Sequence, residues 1–296
     1  MTHVFGGPWT EGKLEVMRRY FAAYAQALKN QRFSKWYIDA FAGAGQRTEA
    51  RPADVEESQL FGDETSEVDD VKDGSVRIAL RIEPPFDQYI FVDRDREHVA
   101  ALEVLRKDFP TRSIDVRLGD ANQVLKELCK STNWRNTRAA VFIDPYGMQV
   151  NWSTLEALAA TGAVDIALLF PTGPLNRMLV GDGNVPEEWA KRIDEHLGPC
   201  DWRTGLYKVA EQGNLFSQNE PSLRKATTAD GLRQFVLERL KSTFPFVAEE
   251  QLELKNSRDA VLYHLFIICA NPAPTAVRLA KKLASNAIKL PRTRKR

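Results

Sequence analysis

Tyr37-Ile38-Asp39-Ala40-Phe41-Ala42-Gly43-Ala44-Gly45 is a short apolar run that ends in an acid and breaks into a glycine turn. A run of this kind, from Trp36 to Ile38, reads as a buried strand. The glycines let the backbone turn tightly and approach a ligand closely. Three later runs end in the same way: Phe91-Val92-Asp93, Arg117-Leu118-Gly119-Asp120 and Phe142-Ile143-Asp144-Pro145-Tyr146-Gly147. Four strand-end acids in this order predict one crevice at the carboxyl edge of a parallel sheet, which is where open α/β sheets bind ligands.

Outward from these runs, strands and helices alternate. Leu14, Met17, Tyr20, Phe21, Tyr24 and Leu28 recur at helical spacing and predict an amphipathic helix from Gly12 to about Lys29. Strands are expected at about 35–39, 88–92, 114–118, 139–143 and 164–170. Helices are expected between them, with Ser75 and Ser153 as N-caps. This alternation argues for a parallel sheet with helices on both faces. Residues 174–225 mix aromatic residues with Gly, Pro and polar ones and read as a partly helical insertion. A helix from Asp230 to about Phe244 follows. Gln251 to Lys255 and Leu262 to Ala270 read as two strands on a short turn, and such strands must be antiparallel.

The 296 residues suit a single α/β domain with embellishments. With 43% hydrophobic and 27% charged residues the chain can bury a sizeable core. A net charge of +1 gives no global pull toward nucleic acid or membrane, but the charge is unevenly spread. Residues 46–73 hold ten acids against three bases and read as an exposed, mobile loop. From Asn271 onward there is no acid, and the chain closes on the basic tail 291–296, which reads as a solvated terminus able to bind phosphates. Cys129, Cys200 and Cys269 form no Cys-x-x-Cys, and no histidine has metal-ligand spacing, so no metal site is expected. No apolar leader and no run of about 20 apolar residues is present, so a soluble, cytoplasmic protein is expected, with no membrane partner.

The order of the strand-end acids is the layout of a methyl-transfer enzyme that uses S-adenosylmethionine. Asp39, with Phe41, Gly43 and Gly45 in its turn, is expected to face the methionine end of that cofactor, although a structural turn would look the same. Asp93 suits the ribose hydroxyls. Its distance from Gly43 is too long unless 46–73 is an insertion; counted from Gly74 the gap is 19 residues, the expected spacing. Asp120, with Ala121 beside it, suits the adenine amine, and N-capping is the competing role for both acids. Asp144-Pro145-Tyr146-Gly147 carries the chemistry. Its carboxylate can accept from a target amine while the tyrosine stacks a base taken out of the helix. An ordinary loop start is the alternative.

The Asp-Pro-Tyr-Gly element resembles the Asp-Pro-Phe/Tyr-Gly element of the tRNA guanine-N2 methyltransferases. Trp9-Thr10-Glu11-Gly12-Lys13 resembles the Trp-Ala-Gly-Gly-Lys segment of some adenine-N6 methyltransferases, which implies that Lys13 helps hold the cofactor's carboxylate. Over nearly the whole chain, the run 37–43, Ala79-Leu80, Glu83-Pro84-Pro85-Phe86, Tyr89 to Asp93, Phe142 to Gly147, Asn271-Pro272 and Ala280-Lys281 resemble the three-Cys-motif partner (TcmP) proteins. That resemblance implies a class I methyltransferase-like (Rossmann-like) fold with a seven-stranded, mostly parallel sheet closed by an antiparallel hairpin. It also implies a partner protein bearing three cysteines, similar to a radical-SAM protein.

Three readings follow. The first is an S-adenosylmethionine-dependent methyltransferase acting on an exocyclic amine of a nucleobase in RNA or DNA. The second is a non-catalytic partner of the three-cysteine protein. The third, an NAD(P)-dependent enzyme, is weaker because Thr48 stands where the last glycine of Gly-x-Gly-x-x-Gly belongs.

Overall fold

A computed structural model describes residues 8–44, 74–209, 223–256 and 258–289. The acidic segment 46–73, Gly45 and the tail 291–296 lie outside the described residues. The long helix α1 (Pro8–Leu28) leads into β1 (Ser34–Asp39). Then follow α2 (Ser75–Leu80), β2 (Gln88–Asp93), α3 (Arg96–Arg106), β3 (Ile114–Leu118), α4 (Ala121–Ser131), β4 (Thr137–Ile143), α5 (Trp152–Ala160) and β5 (Val164–Phe170). The insertion comprises α6 (Thr172–Met178), α7 (Glu187–Leu197), α8 (Trp202–Leu206) and a separate two-stranded ribbon of β6 (Tyr207–Val209) with β7 (Leu223–Lys225). The chain then forms α9 (Ala229–Thr243), β8 (Phe246–Val247), β9 (Leu252–Lys255), β10 (Val261–Cys269) and α10 (Pro274–Ile288).

The main sheet runs β3-β2-β1-β4-β5-β10-β8. Its first five strands are parallel, and β10 lies antiparallel between β5 and β8. This is the class I methyltransferase-like, Rossmann-like topology. Among the described residues the sheet has eight strands, one more than the expected seven, because the last position is divided. β8 pairs with the end of β10 at Ile268 and Cys269, while β9 pairs with its first half, Val261 to Leu265. The expected hairpin is therefore real, but its long arm sits inside the sheet.

Side chains alternate between the two faces, as strand geometry requires. Ile38, Ile90, Val92, Val141, Ile166 and Leu168 join one core cluster, covered by α4 to α9. Tyr37, Tyr89, Phe91, Phe142, Ala167 and Leu169 join the other, covered by α1, α2, α3 and α10. Two expected caps differ from the structure. Asn151, not Ser153, stands before α5, and the Ser153 hydroxyl instead accepts from Lys126 Nζ at 2.8 Å. Gly74, not Ser75, stands before α2, because the Ser75 hydroxyl is engaged elsewhere.

Candidate active site

Strand register brings the acids together. Asp39 ends β1 opposite Phe91 of β2 and Phe142 of β4, so Asp93 and Asp144 each stand two residues beyond it. Asp93 in turn lies opposite Leu118 of β3, so Asp120 stands two residues further still. All four acids thus lie at the carboxyl edge of neighbouring parallel strands, where backbone pairing ends and groups are presented to a crevice. An open groove of about 550 Å³ at the opposite edge, lined in part by Glu156, Gly162, Thr243 and Pro272, is remote from them.

The first turn is tightly held. Asp39 is fully buried and accepts from Ser75 Oγ at 2.6 Å and from the Phe41 amide at 3.3 Å. Burial pushes its carboxyl up to about 7, against the pull of the Ser75 bond, and the nearby charges of Asp144 and Asp93 add to the rise. Asp39 therefore supports the turn from behind. Phe41 is half-buried and packs on the core. Gly43 adopts a φ of 59°, and a Cβ added there would meet none of the described residues within 4 Å. The positive φ is the reason the turn needs its glycine.

Asp93 clamps two loops. Its Oδ2 accepts from the Gly43 amide at 2.9 Å, its Oδ1 accepts from the Asp95 amide at 2.8 Å, and His98 Nδ1 lies 3.2 Å from Oδ1. The cap of α3 is Asp95, not Asp93. A carboxylate has about four acceptor positions, so Asp93 keeps capacity for a ligand. Asp120 is exposed and accepts from the Gln123 amide at 3.0 Å, capping α4, with Ala121 buried behind it. Capping uses Oδ1 and, among the described residues, leaves Oδ2 available to accept.

Asp144 has the partner that sequence reasoning did not foresee. Lys13 Nζ lies 2.6 Å from Asp144 Oδ2, with the lysine side chain 6% and the aspartate side chain 23% exposed. A buried ammonium needs such a counter-charge. The expectation from the Trp9–Lys13 resemblance directed Lys13 to a cofactor; here it joins α1 to the end of β4. Pro145 is buried and Tyr146 half-buried. Gly147 takes a φ of 65°, and its amide donates to Tyr263 Oη at 3.2 Å. Tyr263, on β10, thereby fixes the loop that carries Asp144 and Tyr146. Burial holds its phenol above the ordinary tyrosine range.

Ser75 and Tyr263 are the supporting residues that sequence reasoning missed. The signal for Tyr263 is a hydroxyl inside a mostly apolar strand. The next residue is His264. It is buried, with Nδ1 2.7 Å from Thr172 Oγ1 and Nε2 3.6 Å from Glu253. Burial lowers its pKa, against the pull of Glu253.

No protein-family model matches the chain, and no curated protein matches it. Among solved structures it is similar to protein LPL1258 of Legionella pneumophila, assigned to family DUF519, at 12% identity over 96% of this chain and 94% of that one, TM-score 0.48. It is also similar to a DUF574 protein of Streptomyces avermitilis, at 14% identity over 88% and 83% of the two chains, TM-score 0.38. A third is an S-adenosylmethionine-dependent methyltransferase of Clostridium acetobutylicum, at 8% identity over 85% and 91%, TM-score 0.36. Among the described residues no helix is long and apolar enough to cross a membrane.

Proposed function

We propose that the chain is an S-adenosylmethionine-dependent methyltransferase acting on an exocyclic amine of a nucleobase in RNA or DNA. The observation that carries this reading is the Asp144-Pro145-Tyr146-Gly147 loop, held at the carboxyl edge by Lys13 and Tyr263, beside the glycine turn of β1. The donor set fits the cofactor. Among the described residues nothing crowds Gly43, Asp93 keeps acceptor capacity for ribose hydroxyls, and Asp120 is exposed to accept from an adenine amine. The bound cofactor supplies an electrophilic methyl group on a sulfonium.

The chain's own residues supply positioning. Asp144 Oδ2 is taken by Lys13, which leaves Oδ1 to accept from the target N–H and orient the nitrogen lone pair. An amine needs no strong base for this step, since it sheds its proton after attack. Tyr146 offers a face for the base, and base–aromatic stacking contributes about 1–3 kcal/mol. The positive φ of Gly147 turns the loop so that its amide meets Tyr263, and that bond holds the tyrosine's backbone in place.

Methyl transfer from labelled cofactor into tRNA, rRNA and DNA tests the proposal. Asp144→Ala is expected to abolish transfer while cofactor affinity stays within a few-fold. Label entering protein but no nucleic acid overturns it. A second reading, a non-catalytic partner of a three-cysteine protein, is supported by the internal satisfaction of the site: Asp39, Asp93 and Asp144 each have partners within the chain. Cofactor binding without transfer into any substrate, together with co-purification of the three-cysteine protein, would favour it.

A further inference from the structure

The last helix, α10, lies in the acid-free part of the chain. The 26 residues from Asn271 onward carry eight bases and no acid, whereas the 270 before them carry 33 bases against 40 acids. Within α10 the separation of faces is clean. Ala280, Leu283, Ala284 and Ala287 are buried against the sheet. Arg278, Lys281, Lys282 and, at the C-cap, Lys289 are exposed.

At about 100° per residue, Arg278, Lys282 and Lys289 fall within roughly 40° of one another and Lys281 lies about 60° to their side. The buried residues occupy the opposite half of the helix. From Arg278 to Lys289 the stripe is about 16 Å long at 1.5 Å per residue.

These cations also lack counter-charges. Among the described residues none of the four is in an ion pair. Several other surface cations are paired, among them Arg106 with Glu103, Arg117 with Asp115, Arg233 with Asp230, and Lys241 with both Glu238 and Glu249; what sets α10 apart is four cations along one helix with no acid in the segment. An unpaired basic stripe on a chain whose remainder is net acidic is a local electrostatic footprint of the kind that tracks phosphates. Its position links it to the site. The Lys289 carbonyl accepts from Arg19 of α1 at 3.4 Å, and Lys13 lies six residues earlier on that helix, about 9 Å along its axis.

We propose that the outer face of α10 is the docking surface for the phosphate backbone of the nucleic acid whose base enters the site. This rests on the nucleobase reading above. Phosphate contacts position a strand without reading its sequence, which suits a stripe of point charges outside the base pocket.

The test is binding of a fluorescent 20-nucleotide single-stranded RNA, measured by anisotropy over a range of salt, for the full chain and for the variant Arg278→Ala/Lys281→Ala/Lys282→Ala/Lys289→Ala. Each phosphate contact contributes about 0.7 to the slope of log K against log salt on a single strand. The variant is expected to bind at least tenfold more weakly at low salt, with the slope shallower by about 2–3, and to keep its S-adenosylmethionine affinity. Equal affinity and slope for the two proteins, or no RNA binding by either, overturns the proposal. So does binding to phosphatidylserine vesicles in place of RNA. Methylation of a dinucleotide too short to reach α10 tests the catalytic reading separately. Dinucleotide methylation with an unimpaired variant on long RNA sinks only the stripe, and RNA binding through the stripe without any methylation sinks only the site.

Discussion

Asp39 is a carboxyl group kept away from water and near two other acids, and this gives the molecule a pH signature. Its folded pKa of about 7 lies above the ordinary carboxylate value, so the folded state holds a proton that the unfolded chain releases. Stability from this group is full below about pH 4 and is lost as pH rises through 7. Asp165, buried and accepting from Tyr20 at 2.6 Å, acts in the same direction with a pKa pushed up to about 6. His196 opposes them. Burial lowers it to about 4, so its contribution is lost as pH falls from about 6.5 toward 4. Asp39→Asn is therefore expected to gain stability relative to the native chain at pH 8, by a few kcal/mol, and much less at pH 4. Urea denaturation at the two pH values checks this; an equal difference at both would refute it.

Lys13 gives a second test at the same scale. Lys13→Met leaves Asp144 without its cation. Loss of one partner from a fully buried pair costs about 3–5 kcal/mol, and the partial exposure of Asp144 reduces this to about 1–3 kcal/mol. Adding Asp144→Asn should recover part of the loss, and a double-mutant cycle measures the coupling. Strictly additive effects would mean that the pair contributes nothing. The acids themselves were legible in the sequence because each ends an apolar run. Their partners were not, because the contact between Lys13 and Asp144 spans 131 residues and leaves no local pattern.

The elements follow the same division. β3 and β5 have the bounds that periodicity predicts, since continuous apolar runs between turn residues define a buried strand well. β8 has only two residues and owes its existence to β10, so no period could reveal it. In α10 the buried set is mostly alanine, which weakens the hydrophobic contrast that marks a helix. Packing of α6 on β10 is set by a single glycine. A Cβ on Gly173 would lie 2.3 Å from the Val261 carbonyl oxygen and 3.0 Å from the Leu262 backbone. Neither backbone can yield easily, because both belong to or border a central strand. Gly173→Ala should cost at least about 1–3 kcal/mol through forced displacement, and the shift should disturb the neighbouring Tyr263–Gly147 bond. Thermal melting and cofactor titration of the variant check both effects; unchanged values would show that α6 rides freely over β10.

At the scale of the whole molecule, the two cores share one sheet, so the central strands should be the last to open. β1, β4 and β5 are buried along most of their length on both faces. Amide hydrogen exchange is expected to be slowest there and faster in the short β6–β7 ribbon, which stands outside the main sheet. Slower exchange in the ribbon than in β4 would contradict a single cooperative sheet.

The position of β10 has a consequence for biosynthesis. A ribosome finishes β5 at Phe170 and makes 90 more residues before it starts β10 at Val261. At about 5–20 residues per second this interval lasts roughly 5–20 seconds. Throughout it, the inner edge of β5 has no neighbour on one side, although every residue of the strand ends up buried. The helices made meanwhile can cover faces but cannot satisfy a strand edge, which is the part of a sheet most prone to pair with another chain. The nascent protein is thus exposed to misassociation at one defined place and for a defined time, and a chaperone that shields open β edges would have its binding site there until β10 arrives.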